Sequence, residues 1–172
     1  MAVSPNGKRY RFVNTYDAKP KRRLYELLKS QGLQMNQDIT FLSDGGNTVH
    51  DLQFYISPFS KHVLDWFHVA IRLTVMMNTA KGLPKNRFLN DVADDLERVK
   101  WHLWHGNVYQ ALSLLDLIAD NLEICELEDE VVRKLYKRVQ EFITYIDNNG
   151  HFIPNYRERY RYGETISTAF VE

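Results

Sequence analysis

Ile39-Thr40-Phe41-Leu42-Ser43-Asp44-Gly45-Gly46 is the stretch on which the reading of this chain turns. Ile39, Phe41 and Leu42 around a β-branched Thr40 make a short buried strand, closed by an aspartate and two glycines. A carboxylate at the carboxyl end of a buried strand is held by a rigid sheet and faces the crevice where open α/β sheets bind ligands. Gly45-Gly46 strips side chains from the approach, so a metal or a phosphate can come close to the main chain. The competing reading is a plain Asp-Gly turn, because both residues dominate tight turns for conformational reasons alone. Asp65, in His62-Val63-Leu64-Asp65-Trp66-Phe67-His68, repeats the placement at the end of a second apolar run.

Working outward, Arg9 to Tyr16 alternates Tyr10, Phe12 and Val13 with polar residues and predicts a strand. Pro20 then stands near the start of a helix that runs to Gly32, with Leu24, Leu27 and Leu28 as its stripe. Asn47 to Tyr55 reads as a short helix and His62 to Trp66 as a third strand. Strand, helix, strand, helix, strand with short crossovers favours parallel pairing, so residues 1–68 read as a piece of an α/β sheet.

From His68 the period becomes helical. Val69, Leu73 and Met76 or Met77 share a face before the break at Gly82-Leu83-Pro84, and a second helix carries Phe88, Val92, Leu96, Val99 and Leu103. Gly106 is placed to end that helix and Asn107 to cap a third, striped by Val108, Leu112, Leu115, Ala119 and Leu122. A fourth uses Val132, Leu135, Val139, Phe142 and Ile146 and stops at Asn148-Asn149-Gly150. Helices so joined pack antiparallel, which makes residues 69–150 a helical insertion and 151–172 a return. The return reads as irregular, with Arg157, Arg159 and Arg161 interleaved with Tyr156, Tyr160 and Tyr162. Such a pattern contacts phosphates and stacks on bases, or else lines a loop packed on the bundle. A helix starting near Thr165 has an apolar face, Ile166, Ala169 and Phe170, that is cut off after Val171.

Composition bounds the function. With 172 residues, 44% of them hydrophobic, the chain can bury one sizeable core. Lys plus Arg and Asp plus Glu are equal at 22 each, so nucleic-acid binding has to come from local clusters and not from a global field. One cysteine, Cys125, excludes an intrachain disulfide, and neither a leader nor an apolar stretch of about 18 residues is present. No membrane role is expected, and the expected compartment is a reducing cytoplasm.

Phe41-Leu42-Ser43-Asp44-Gly45-Gly46, Leu64-Asp65-Trp66-Phe67-His68, Leu103-Trp104-His105-Gly106-Asn107 and the run from Tyr160 to Glu172 together resemble bacterial insertion-sequence transposases of the DDE class. The resemblance is nearest to the ISKra group, related to Mutator-like elements, and covers nearly the whole chain. It implies a partial RNase H-like core interrupted by an α-helical insertion. By motif, Asp44 matches the second catalytic acid and Glu172 the third, the pair that would ligate metal. Asp65 and His68 match the accessory C/D-x-x-H element, read as support beside the acids. No residue matches the first acid, and the expectation is that the two strands preceding the amino terminus, with that aspartate, are missing. The implied reaction is cleavage and strand transfer of phosphodiesters with two Mg²⁺ or Mn²⁺ ions about 4 Å apart. The implied partners are DNA, as element ends and target, and further copies of the same transposase. With one acid absent the chain alone is expected to be inactive. The alternative is a non-catalytic remnant that serves as a DNA- or protein-interaction module; a nuclease of the same fold is a third option.

Other candidates have simpler readings. Asp17 ends a strand but precedes Pro20, where an aspartate caps a helix without any metal. Asp65 and His68 can equally be a helix cap and a buried histidine. His102 and His105 suit packing and C-terminal charge on a helix ending at Gly106, and no Cys/His pairs at finger spacing suggest zinc. Lys19, Lys21, Arg22 and Arg23 form the densest basic cluster, which suits DNA phosphates and a solvated first helical turn alike.

Overall fold

Proline brings a preset φ and no amide hydrogen to a helix's first turn, and α1 (Pro20–Ser30) begins on Pro20. It ends at the left-handed Gly32, φ 97°. In the computed structural model the described residues are 2–3, 9–10, 19–34, 37–125 and 129–168, with 2–3, 9–10 and 47–50 described by their backbone alone. The chain divides into two compact units, residues 1–41 with 46–61 and residues 42–45 with 62–172.

In the first unit β1 (Ala2–Val3) pairs antiparallel with β2 (Arg9–Tyr10). The expected strand from Arg9 to Tyr16 is thus a short antiparallel partner of its neighbour at Arg9–Tyr10, and its remainder lies outside the described residues. A nearby partner costs less closure entropy than the distant parallel one that the strand-helix order favoured. α1 packs on α2 (Asn47–Ile56), where the buried Gln53 donates through Nε2 to Ser60 O at 3.0 Å.

β3 (Thr40–Ser43) and β4 (Lys61–Leu64) form a two-stranded sheet. Lys61 N donates to Ile39 O at 2.9 Å and Asp65 N to Ser43 O at 2.8 Å. Both partners advance together along the chain, so the strands are parallel, as the crossover through α2 requires. The chain is therefore α/β in the coarse sense, with helices far outweighing sheet.

The second unit is dominated by a bundle of α3 (Trp66–Ala80), α4 (Val92–Trp104), α5 (Val108–Ile124) and α6 (Glu130–Asn149). Each helix packs on the next, and α3 also packs on α6, which closes the ring. The expected stripes are the buried ones on α3, α4 and α6: Val69, Leu73 and Met76; Val92, Leu96, Val99 and Leu103; Val132, Leu135, Val139, Phe142 and Ile146. On α5 the buried set is Ala111, Leu115, Ile118, Ala119 and Leu122, while Val108 and Leu112 are half-buried. α5 lies against both α4 and α6, so it buries a wider arc than one stripe. Phe88 falls in the turn before α4 and is half-buried.

After a 3₁₀ turn (Gly150–Phe152), the chain forms α7 (Tyr156–Arg161) where the sequence read as irregular. Asn155 caps it by accepting from Glu158 N at 3.1 Å. Tyr156 anchors α7: it is fully buried, its hydroxyl donates to Leu64 O at 2.7 Å, and its ring lies 4.9 Å from that of Trp66. At the turn between α4 and α5, Gly106 (φ 77°) faces the main chain of Pro154 and Asn155, and any Cβ there would meet it at 3.1–3.2 Å. Among the described residues no helix is long and apolar enough to cross a membrane.

Candidate functional site

Asp44 follows β3 directly, exposed, in a turn built by its neighbours. Ser43 Oγ is hydrogen-bonded to His62 Nε2 at 2.7 Å and accepts from Gly45 N at 3.1 Å, which locks the residues on both sides of Asp44. Gly45 has φ 88°, and a Cβ at that position would run into the side-chain amide of Asn149. Only glycine allows both the left-handed turn and the close approach of α6. Asn149 is itself held by donation from Nδ2 to Tyr145 O at 2.8 Å.

Asp65 is buried, 1% exposed. Its Oδ1 accepts from Phe67 N at 2.9 Å, so it is the N-cap of α3. Both oxygens also accept from Thr168 N at 3.2 Å, and the Thr168 hydroxyl donates to Oδ2. Alongside, Trp66 N donates to Ile166 O at 3.1 Å. The returning chain is thereby tied to the point where β4 enters the bundle. His68 Nε2 lies 4.0 Å from Asp65 Oδ2 and its side chain is 41% exposed, so the histidine is not the buried one that a purely structural reading expects. The cap, by contrast, is real.

Arg72 and Tyr145 join this neighbourhood, and neither stood out in the sequence. The Arg72 guanidinium lies 4.3 Å from the centroid of the Tyr145 ring. Burial pushes the Tyr145 phenol up to about 12; Arg72 opposes the rise, while the charges of Asp44 and Asp65 add to it. Tyr145 thus sits in the field of both aspartates. The available signal was the spacing of Asp65, His68 and Arg72, which puts three polar residues on one side of a helix otherwise rich in apolar ones.

A divalent cation takes hard carboxylate oxygens. Asp44, exposed at the strand end, has that chemistry. Asp65 does not fit as a ligand, because its oxygens are committed to Phe67 and Thr168. Among the described residues no group of three or more His, Cys, Asp or Glu side chains gathers to hold a metal. Glu172, the other expected ligand, lies outside the described residues, as does Asp17.

The expected DNA contacts divide. On α7, Arg157 and Arg161 are exposed, whereas Arg159 pairs with Glu164 at 2.8 Å and is mostly covered. Tyr160 and Tyr162 are also exposed. On α1, Arg22 pairs with Glu26 at 2.8 Å, and Lys21 and Arg23 are exposed. His105 Nδ1 donates to Trp101 O at 2.8 Å at the end of α4. No protein-family model, curated protein or solved structure matches the chain significantly.

Proposed function

We propose that this chain is part of a DDE transposase, with an RNase H-like core interrupted by the α3–α6 bundle and with Asp44 as one of its catalytic carboxylates. The observation that carries the reading is the closure at Asp65. A parallel strand pair delivers Asp44 and Asp65 at the same sheet end, an entire helical bundle follows, and the chain then returns to bond Ile166 and Thr168 to Trp66 and Asp65. That is the connectivity an interrupted core needs if an acid shortly after Thr168 is to act with Asp44.

In this reading Asp44 and Glu172 hold Mg²⁺ or Mn²⁺, which when bound would activate a water or a DNA 3′-hydroxyl and stabilise the leaving oxygen. Asp65 touches no substrate; it fixes the start of α3 and the returning segment so that the edge stays rigid. His68, half-exposed beside Asp65, is placed to carry a proton or to hydrogen-bond DNA at that edge. Arg157 and Arg161 supply phosphate contacts. The whole transposase acts on bacterial DNA in the cytoplasm, as an assembly of several copies. No residue of this chain matches the first acid, so the chain alone does no chemistry.

A gel assay with supercoiled plasmid and Mg²⁺ tests this. The expected result is a retarded complex with unbroken DNA. Robust nicking by the chain alone would overturn the incomplete core, and absence of any complex would overturn the DNA reading.

A second reading, a non-catalytic interaction module, is favoured by the outer face of α4 and α5. Trp101, Tyr109 and Leu117 are exposed there, beside a groove of about 350 Å³ lined by Arg98, His102, Gln110 and Ser113. On that reading, substitution of Asp44 leaves every binding property unchanged.

A further inference from the structure

Arg72 follows His68 by four positions and Asp65 by seven, so the three share a side of α3 or its cap. Its guanidinium rests against the Tyr145 ring, 4.3 Å from the centroid, while Arg72 itself remains exposed. This contact spends none of the guanidinium's N–H donors, and among the described residues they make no hydrogen bond, so the fork is left for a bidentate acceptor. Several other arginines of this protein spend those donors on carboxylates: Arg22 on Glu26, Arg98 on Asp95, Arg159 on Glu164. Among the described residues Arg72 has no such ion pair.

Tyr145 supports the same conclusion from the other side of the contact. Its hydroxyl is buried with no hydrogen-bond partner among the described residues, so the ring is retained there for its face and not for its polar tip. The turn after Asp44 abuts the same stretch of α6: a Cβ at Gly45 would strike Asn149, whose Nδ2 donates to Tyr145 O at 2.8 Å. An unspent cation therefore stands over the Tyr145 ring, on the side of α3 that also carries Asp65 and His68.

We propose that Arg72 is a phosphate-contacting residue, held over the Tyr145 ring to take the non-bridging oxygens of a nucleic-acid phosphodiester at the Asp44 edge. The class of ligand rests on the function proposed above; the exposed, unpaired cation over Tyr145 does not.

Fluorescence anisotropy with a labelled DNA duplex of about 20 base pairs, repeated over a salt series with the full chain, tests the proposal. Arg72→Ala is expected to weaken binding about ten-fold and to reduce the slope of log affinity against log salt by about one. Arg72→Lys keeps the slope but loses several-fold in affinity, because lysine lacks the fork. Tyr145→Phe binds as wild type, Tyr145→Leu loses part of the Arg72 effect, and Arg133→Ala, at an exposed position of α6, changes nothing. Arg72 is exposed, so its variants fold. Identical binding by wild type and Arg72→Ala, or no binding by wild type, overturns the proposal. Arg72-dependent binding together with Mn²⁺ binding indifferent to Asp44 would instead retain this contact and refute the catalytic reading.

Discussion

Asp65 and Thr168, 103 positions apart in the chain, are joined through both oxygens of the carboxylate. The bond set closes the second unit at one end: it caps α3 and fastens the segment returning from α7. Asp65→Ala removes the cap and leaves the Thr168 amide and hydroxyl without their acceptor. We expect a loss of about 2–4 kcal/mol in urea unfolding, from one cap and one set of buried donors. Thr168→Val removes only the hydroxyl donor and costs about 1–2 kcal/mol, while Thr168→Ser restores it. If Asp65→Ala unfolds at wild-type urea, the closure is incidental.

Gly45→Ala tests the turn under Asp44. A left-handed alanine costs about 1–2 kcal/mol, and the added methyl also strikes Asn149. Adding Asn149→Ala relieves the collision but not the backbone strain, so the double variant is expected to lie between Gly45→Ala and wild type in a double-mutant cycle. Strict additivity of the two changes would show that α6 does not press on this turn.

Alkaline stability follows from the buried tyrosines. An unfolded phenol ionises near 10. Burial holds the Tyr145 phenol in the folded protein up to about 12, and Tyr156, buried deeper, is raised further in the same direction. Between the unfolded and folded values the unfolded chain binds fewer protons, so stability is full below pH 10 and falls as pH rises through 10 to 12. Tyr145→Phe is expected to flatten that fall. At pH 8 it is expected to cost nothing or to stabilise slightly, because it deletes a buried hydroxyl with no partner. Tyr156→Phe flattens the fall too but costs about 1–3 kcal/mol at pH 8, since it orphans Leu64 O. Urea unfolding at pH 8 and pH 11 separates the two.

Periodicity carried most of the helical information. Leu73, Val99 and Ile146 are buried where their stripes require, and α6 stops at Asn149. Gly106 ends α4 with a positive φ, as its place before Asn107 suggested. What sequence did not reveal depends on tertiary neighbours. Ile118 is buried because α5 has helices on both sides, and Arg9–Tyr10 pairs with a local antiparallel strand. α7 forms in an Arg/Tyr-rich run because Tyr156 finds a pocket under Leu64 and Trp66. The two aspartates looked equivalent in sequence, each ending an apolar strand, yet one is exposed and the other is enclosed by Phe67 and Thr168. Spacing cannot report that Asp65 is enclosed, because one of its donors, Thr168, arrives from 103 residues away. For the same reason Arg72 was silent: its meaning lies in the ring of Tyr145 on another helix.

The most direct measurement is calorimetric titration of the chain with Mn²⁺, comparing wild type with Asp44→Ala, Glu172→Ala and Asp65→Asn. The account predicts weak binding that Asp44→Ala abolishes and Glu172→Ala reduces. Asp65→Asn should retain measurable binding, since its carboxylate is spent on Phe67 and Thr168. Binding that is absent from wild type, or that survives Asp44→Ala unchanged, would contradict a catalytic carboxylate at this edge.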